Sequence, residues 1–129
     1  MEKTDSLADE ERRVDEYLPQ LVKDTAMVAQ ATKSLPPDND LINVGEFFKV
    51  LTDPTRLKIL YALGIGELCV FDLSVSVGSS VSSVSHHLAA LKRARLVKMR
   101  RDGRVIYYSL DDDHVNSIIK FAREHLEEK

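Results

Sequence analysis

The sequence predicts a mainly α-helical domain with one small β-hairpin, and three observations carry that prediction. Apolar residues recur at threes and fours along most of the chain, the period of helices with one buried face. Gly78 separates two short helical stretches, the outline of a helix-turn-helix. Asp102-Gly103 stands between two strand-like runs, the mark of a tight type I′ hairpin and hence of a two-stranded wing. With 129 residues and 43% apolar content, the chain suits one compact winged helix-turn-helix domain rather than a multidomain enzyme.

Taken in order, residues 1–16 hold seven acids against three bases and little to bury, which predicts a disordered acidic tail ahead of a domain over 17–129. Val14, Leu18, Leu21, Val22 and Val28 or Ala29 then predict an amphipathic helix to about Lys33, ended by Pro36-Pro37. A second helix from about Leu41 is expected to bury Val44, Phe47, Phe48 and Leu51. In Asp53-Pro54 the aspartate suits an N-cap and the proline a first helical position, where its missing N–H costs nothing. Leu57, Ile59, Leu60 and Leu63 are that third helix's buried side.

Gly64-Ile65-Gly66 breaks the chain, and Glu67 to Ser76 reads as the first helix of the pair. After Gly78, Ser80 is a good N-cap for a helix from Val81 to about Arg93, with Val81, Val84, Leu88 and Leu91 in one stripe. Ser82, Ser83 and His86 fall opposite that stripe and project away from the core. The runs 96–101 and 104–110 form the wing, and from Asp111 a last helix carries Val115, Ile118, Ile119, Ala122 and Leu126, with Asp111 as its expected N-cap. These first and last helices are the expected dimerisation elements.

No apolar run approaches the roughly 20 residues of a membrane helix, and the polar, acidic start does not read as an export signal. The expectation is a cytoplasmic protein without membrane contact or organic cofactor. The single cysteine, Cys69, can form neither an internal disulfide nor a thiolate cage. A net charge of −3 looks wrong for a nucleic-acid binder, but the average conceals the distribution. From Lys92 to Arg104 there are seven bases and one acid, a local balance of +6. Lysines and arginines that neutralise phosphates release counterions and give salt-sensitive affinity. Lys92, Arg100, Arg101 and Arg104 are therefore assigned to phosphates, and Ser80, Ser82, Ser83, Ser85 and His86 to the helix that meets base edges in double-stranded DNA.

The most specific chemical feature is Asp112-x-His114, followed by His125-x-x-Glu128. At 100° per residue His114, Ile118, Phe121, His125 and Glu128 share one helix face. Yet eleven residues at a 1.5 Å rise put the two histidines roughly 16 Å apart, too far for one ion. Two such helices packed antiparallel about a two-fold axis would join Asp112 and His114 of one chain to His125 and Glu128 of the other, giving two equivalent sites per homodimer. Two imidazoles and two carboxylates suit tetrahedral Zn(II), with Co(II) or Cd(II) able to occupy the same donors. Asp111 and Asp113 flank Asp112, and a helix start can aim any of the three. Four protein ligands leave no open position, so the site is expected to sense or brace rather than catalyse. A metal-dependent hydrolase is disfavoured because no nucleophile or cleft is recognisable.

Through Asp53-Pro54-Thr55-Arg56-Leu57, Glu67-Leu68-Cys69-Val70-Phe71-Asp72-Leu73, Val84-Ser85-His86-His87-Leu88, Leu91-Lys92 and Gly103-Arg104-Val105-Ile106-Tyr107-Tyr108, the chain resembles the ArsR/SmtB family of winged-helix metal-sensing repressors over about residues 41–129. The resemblance implies a homodimer that holds an inverted-repeat operator when metal-free and releases it when metal binds. It is similar above all to the zinc-sensing branch, which places Asp-x-His and His-x-x-Glu or His-x-x-His on the C-terminal helix. Arsenic- and cadmium-sensing relatives carry Cys-x-Cys where this chain has Cys69-Val70-Phe71, and its N-terminal extension lacks the Cys or His of their second site. The alternative is a winged-helix repressor answering a redox or small-molecule signal through Cys69 or the dimer groove.

Overall fold

The computed structural model describes residues 20–128, which leaves the expected acidic tail, Val14 and Leu18 outside it. The chain divides into two compact units, Met1–Asp40 and Leu41–Lys129.

In the first unit, α1 spans Thr25–Ser34. The continuous helix expected from Val14 to Lys33 is interrupted, because residues 22–24 are not helical. Asp24 is the reason: its Oδ1 accepts the Met27 N–H at 2.9 Å and starts a new helix there. Leu21 and Val28 were expected to be buried, but they stand 65% and 47% exposed, and no described residue of α1 is buried.

Helix α2 spans Asp38–Val50, beginning three residues before the expected Leu41. Pro36-Pro37 precede it, and Asp38 and Asp40 complement the positive end of its dipole. Of its expected buried residues Phe47 packs against the core, while Val44 and Phe48 remain exposed.

Helix α3, Pro54–Ile65, follows its expected cap, since Asp53 Oδ1 accepts the N–H groups of Thr55 at 2.8 Å and Arg56 at 3.1 Å. Ile59, Leu60 and Leu63 are buried. Around them gather Leu73 and Val77 of α4 (Val70–Val77), Val84, Leu88 and Leu91 of α5 (Val81–Arg93), Leu96, Val97 and Val115. Phe71 and Val75 face outward from α4, at 66% and 70% exposure.

The stretch from Glu67 is not helical from its start. Leu68–Cys69 forms a short strand, β1, paired antiparallel with β3 (Val105–Leu110) at Leu68↔Tyr108 and Cys69↔Tyr107. The expected two-stranded wing, β2 (Val97–Asp102) with β3, is therefore a three-stranded sheet in the order β1-β3-β2. A two-residue strand has no periodicity to read, and its backbone groups gain partners only once the edge of β3 lies beside them.

Gly78, at φ +72, ends α4 with its own N–H and that of Ser79 on the Ser74 carbonyl. Ser80 then caps α5, its Oγ accepting the Ser83 N–H at 3.0 Å, as expected. Helix α5 closes in the same way on an arginine: Leu96 N–H reaches the Leu91 carbonyl at 2.9 Å, Arg95 N–H reaches that of Lys92, and Arg95 lies at φ +61. For a residue with a Cβ this left-handed conformation costs about 1–2 kcal/mol.

The hairpin also turns one residue later than expected. Asp102 pairs with Val105, so the loop is Gly103-Arg104, and Gly103 is its only residue with positive φ, +64. A glycine at the first loop position is the type II′ pattern rather than type I′.

Helix α6 spans His114–Glu127. Asp111 is not its cap, because the helix starts at His114 with Asp113 in the cap position, and Asp111 instead belongs to the end of the wing, its N–H bound to the Leu96 carbonyl. Asp113 stands at the cap position without a side-chain bond, and Asp112 Oδ1 accepts the His114 N–H at 2.9 Å. Val115 is buried, Ile118 and Ile119 are half-buried, and Ala122 and Leu126 are exposed. Among the described residues no helix is long and apolar enough to cross a membrane.

Two measurements check this core and its cap. Leu60 is wholly buried, so Leu60→Ala is expected to lower the free energy of unfolding by about 2–5 kcal/mol in a denaturant titration. The N–H of Arg56, helped by that of Thr55 and by the nearby His87 and Arg56, holds the Asp53 carboxyl below the usual carboxylate range. Stability from this group is complete above the unfolded carboxylate pKa and is lost as pH falls through the lowered folded value. Urea midpoints measured down through the acid range should fall less steeply for Asp53→Asn than for the unsubstituted chain.

Candidate functional site

Helix α5 presents Ser82 and His86 to solvent, as their angular positions predict, and Ser85 beside them; Ser83, expected to project away from the core, is half-buried, and Ser80 is exposed at the cap. The neighbouring His87 turns inward. Arg56 Nε donates to His87 Nδ1 at 3.0 Å, and His87 Nε2 lies 3.9 Å from Asp53 Oδ1. Arg56 occupies Nδ1 as a donor, which makes Nδ1 the acceptor nitrogen and turns the Nε2 side toward Asp53. The residue that caps α3 thus also orients a ring on α5. No role for His87 was drawn from the sequence, although its spacing from Val84, Leu88 and Leu91 places it beside the buried stripe.

In the wing Arg101 and Arg104 are exposed, and so is Lys92 on α5, whose Nζ lies 3.6 Å from Met99 Sδ. Arg100 is engaged otherwise. Its Nε and second terminal nitrogen fork onto the Glu67 carboxylate at 2.7 and 2.8 Å, and its guanidinium lies 4.7 Å from the centroid of Tyr107. That fork lowers the Glu67 carboxyl and raises the Arg100 guanidinium from their ordinary pKa values. The pairing depends on β1, which sets Cys69 opposite Tyr107 while β2 sets Arg100 opposite the same residue. A reading without β1 had no reason to bring Glu67 to Arg100. Cys69 itself is half-buried and unpaired with another cysteine.

The four candidate metal donors lie at the two ends of α6. Asp112 Oδ1 and His114 Nδ1 are 3.1 Å apart at its start, and the His114 N–H and ring both lower the Asp112 carboxyl. His125 lies in the last turn and Glu128 just beyond it, both exposed. Among the described residues no three His, Cys, Asp or Glu side chains come together within this chain as a metal cluster. Helix α6 is seated closely on α3: a Cβ at Gly64 would lie 2.5 Å from Asn116 Oδ1, and Arg123 donates to the Tyr61 hydroxyl at 3.3 Å.

Residues 53–99 match the model of the family described as bacterial regulatory protein, arsR family. A cadmium resistance transcriptional regulatory protein CadC homolog of Staphylococcus aureus is 43% identical over 102 residues, which are 78% of this chain and 84% of that protein. This chain belongs to the arsR family. A transcriptional repressor SmtB homolog of Synechocystis is 48% identical over 85 residues, 66% of this chain and 64% of that protein. Among solved structures, the homodimeric winged helix-turn-helix DNA-binding domain of a possible ArsR-family regulator from Mycobacterium bovis superposes with a TM-score of 0.65 at 30% identity, over 70% of this chain and 84% of that one. The three-stranded sheet and helix pair are thus the winged helix-turn-helix of an ArsR-family transcriptional regulator, a DNA-binding fold and not an enzyme's.

The Glu67–Arg100 fork has a measurable consequence for DNA. Glu67→Gln removes the opposing charge, so the affinity of this ArsR-family protein for duplex DNA should rise and its log–log salt dependence should steepen by about 0.9 per protomer if Arg100 then meets a phosphate. An anisotropy titration at several salt concentrations reads this, and an unchanged slope would place Arg100 away from the backbone.

Proposed function

We propose that two copies of this chain form a repressor that holds an inverted-repeat operator and releases it when Asp112 and His114 of one α6 close on Zn(II) with His125 and Glu128 of the partner subunit. The observation that carries this reading is the division of α6 into two donor pairs, Asp112 with His114 at 3.1 Å and His125 with Glu128 at the far end. Each pair is half of a tetrahedral set, and an antiparallel copy of the same helix supplies the other half. The exposed Phe121, midway between the pairs, gives that contact apolar area.

Two imidazoles and two carboxylates match a borderline divalent ion in donor number and charge. When bound, zinc would supply coordination bonds that tie two helices together at both ends. Cobalt and cadmium suit the same donors, and the cadmium resistance named for one relative makes cadmium a necessary comparison.

In the DNA-holding state Ser82, Ser85 and His86 of α5 face the major groove, Ser80 and Ser83 lie at its entry, and Lys92, Arg101 and Arg104 contact phosphates. A two-fold dimer presents two such helices, which is why the operator is expected to be an inverted repeat. Helix α3 joins the two sites mechanically. It packs against α6 at Gly64 and Tyr61 and holds α5 through Arg56 and His87. A change in how two α6 helices meet is thereby passed to the spacing of two α5 helices. Release on metal binding requires that DNA weaken metal binding by the same factor.

Fluorescence anisotropy on the chain's own promoter DNA, at fixed salt, tests the reading. Zinc should weaken binding by roughly 5–150-fold, the range of ordinary allosteric couplings. His114→Ala and His125→Ala should each abolish that effect while leaving metal-free binding intact. Zinc-dependent release that survives the double substitution would overturn the site, and release by peroxide that vanishes in Cys69→Ser would replace it with a redox signal.

A further inference from the structure

Among the described residues Arg95 is the only one with a side chain at positive φ, +61. It occupies the position that closes α5, and its backbone bonds would form as well with glycine, which has no Cβ to crowd them. The preceding helix ends on such a glycine, Gly78 at φ +72. The chain therefore keeps a strained arginine where its own helix-closing geometry favours glycine, and strain of this kind gathers at functional positions.

The surroundings indicate which function. Arg95 lines a groove of about 530 Å³ between the end of α5 and the start of β2, with Lys92, Lys98, Val97, Met99 and Asp111. Three cations face one carboxylate there. The nearest partner of Lys92 is the neutral sulfur of Met99, and Arg95 has no hydrogen-bond or ion-pair partner among the described residues. Arg100, by contrast, is held on Glu67.

We infer that Arg95, with Lys92 and Lys98, forms an anion-binding groove that takes one backbone phosphate of duplex DNA where α5 meets the wing. Arginine suits this task because its planar fork can grip two phosphate oxygens at once. Arg95 closes α5 with a left-handed backbone and lines the groove beside that helix. The inference rests on the DNA-holding face proposed above and adds to it a contact that the helix-closing residue itself provides.

The test uses the full chain and its promoter duplex, with affinity measured by anisotropy between about 50 and 200 mM salt, beside a thermal melt of each variant. In Arg95→Gly the melting temperature should rise, since the strain is gone, while the salt slope falls by at most about 0.9 per protomer, because Lys92 and Lys98 still face the same phosphate, and affinity at 0.1 M salt drops by at most roughly eightfold. Arg95→Ala, which keeps the strain, should lose the same slope without the gain in stability. Arg95→Lys should restore most of the slope. An Arg95→Gly protein that melts higher and binds with an unchanged slope would overturn the contact and leave Arg95 a surface charge near the helix end. Lower affinity with an unchanged slope would overturn it too, as a purely structural effect on helix and wing. A failure of the unsubstituted chain to bind duplex DNA would instead remove the repressor reading beneath it.

Discussion

Burial of α3 is the constraint on which the rest of this domain depends. Its apolar residues are spread around the helix, so no single neighbour can cover them, and α4, α5, α6 and β3 all pack against it. Ile59 and Leu60 become fully inaccessible, with Leu73, Val84, Leu88 and Leu91 around them. Because one helix contacts both α5 and α6, displacing α6 disturbs the seat of α5. The polar links reinforce that arrangement. Asp53 caps α3 and faces His87, Arg56 bonds His87, and the bare surface of Gly64 lets Asn116 of α6 come close.

Charge follows a different logic from packing. The chain is acidic overall, yet its bases crowd onto the end of α5 and the wing, where a DNA backbone can condense on them. Folding then edits this patch. Glu67 engages Arg100 through a two-bond fork, whereas Lys92 and Arg95 line a groove. A count of bases along the sequence weights these residues equally, and only their neighbours separate them.

Much of the fold was legible from local chemistry. Asp53-Pro54, Ser80 and Gly78 act within one helical turn, so residue types at fixed offsets suffice to locate them. The stripe Val84, Leu88 and Leu91 likewise follows from helical period alone, and α5 has the expected limits. Errors arose where a partner far along the chain decides. Strand β1 exists because β3 lies beside it, and its two residues have no pattern of their own. Asp111 was expected to cap α6, but it stays paired with Leu96 at the wing's end and the helix starts only at His114. Exposed Leu21, Val28 and Phe48 show the converse: an apolar period records a face that seeks cover without naming what covers it.

The sequence by itself determined the starts of α3 and α5, the buried stripe of α5, the clustering of bases and the two donor pairs of α6, since each is a matter of residue type and spacing along one element. The tertiary structure alone decided the third strand, the Glu67–Arg100 fork, the inward turn of His87 and the strained, cation-lined position of Arg95. These are relations between residues such as Arg56 and His87, or Glu67 and Arg100, which lie more than thirty positions apart. Local periodicity carries no information across that distance, and only the packing around α3 brings such pairs within hydrogen-bonding reach.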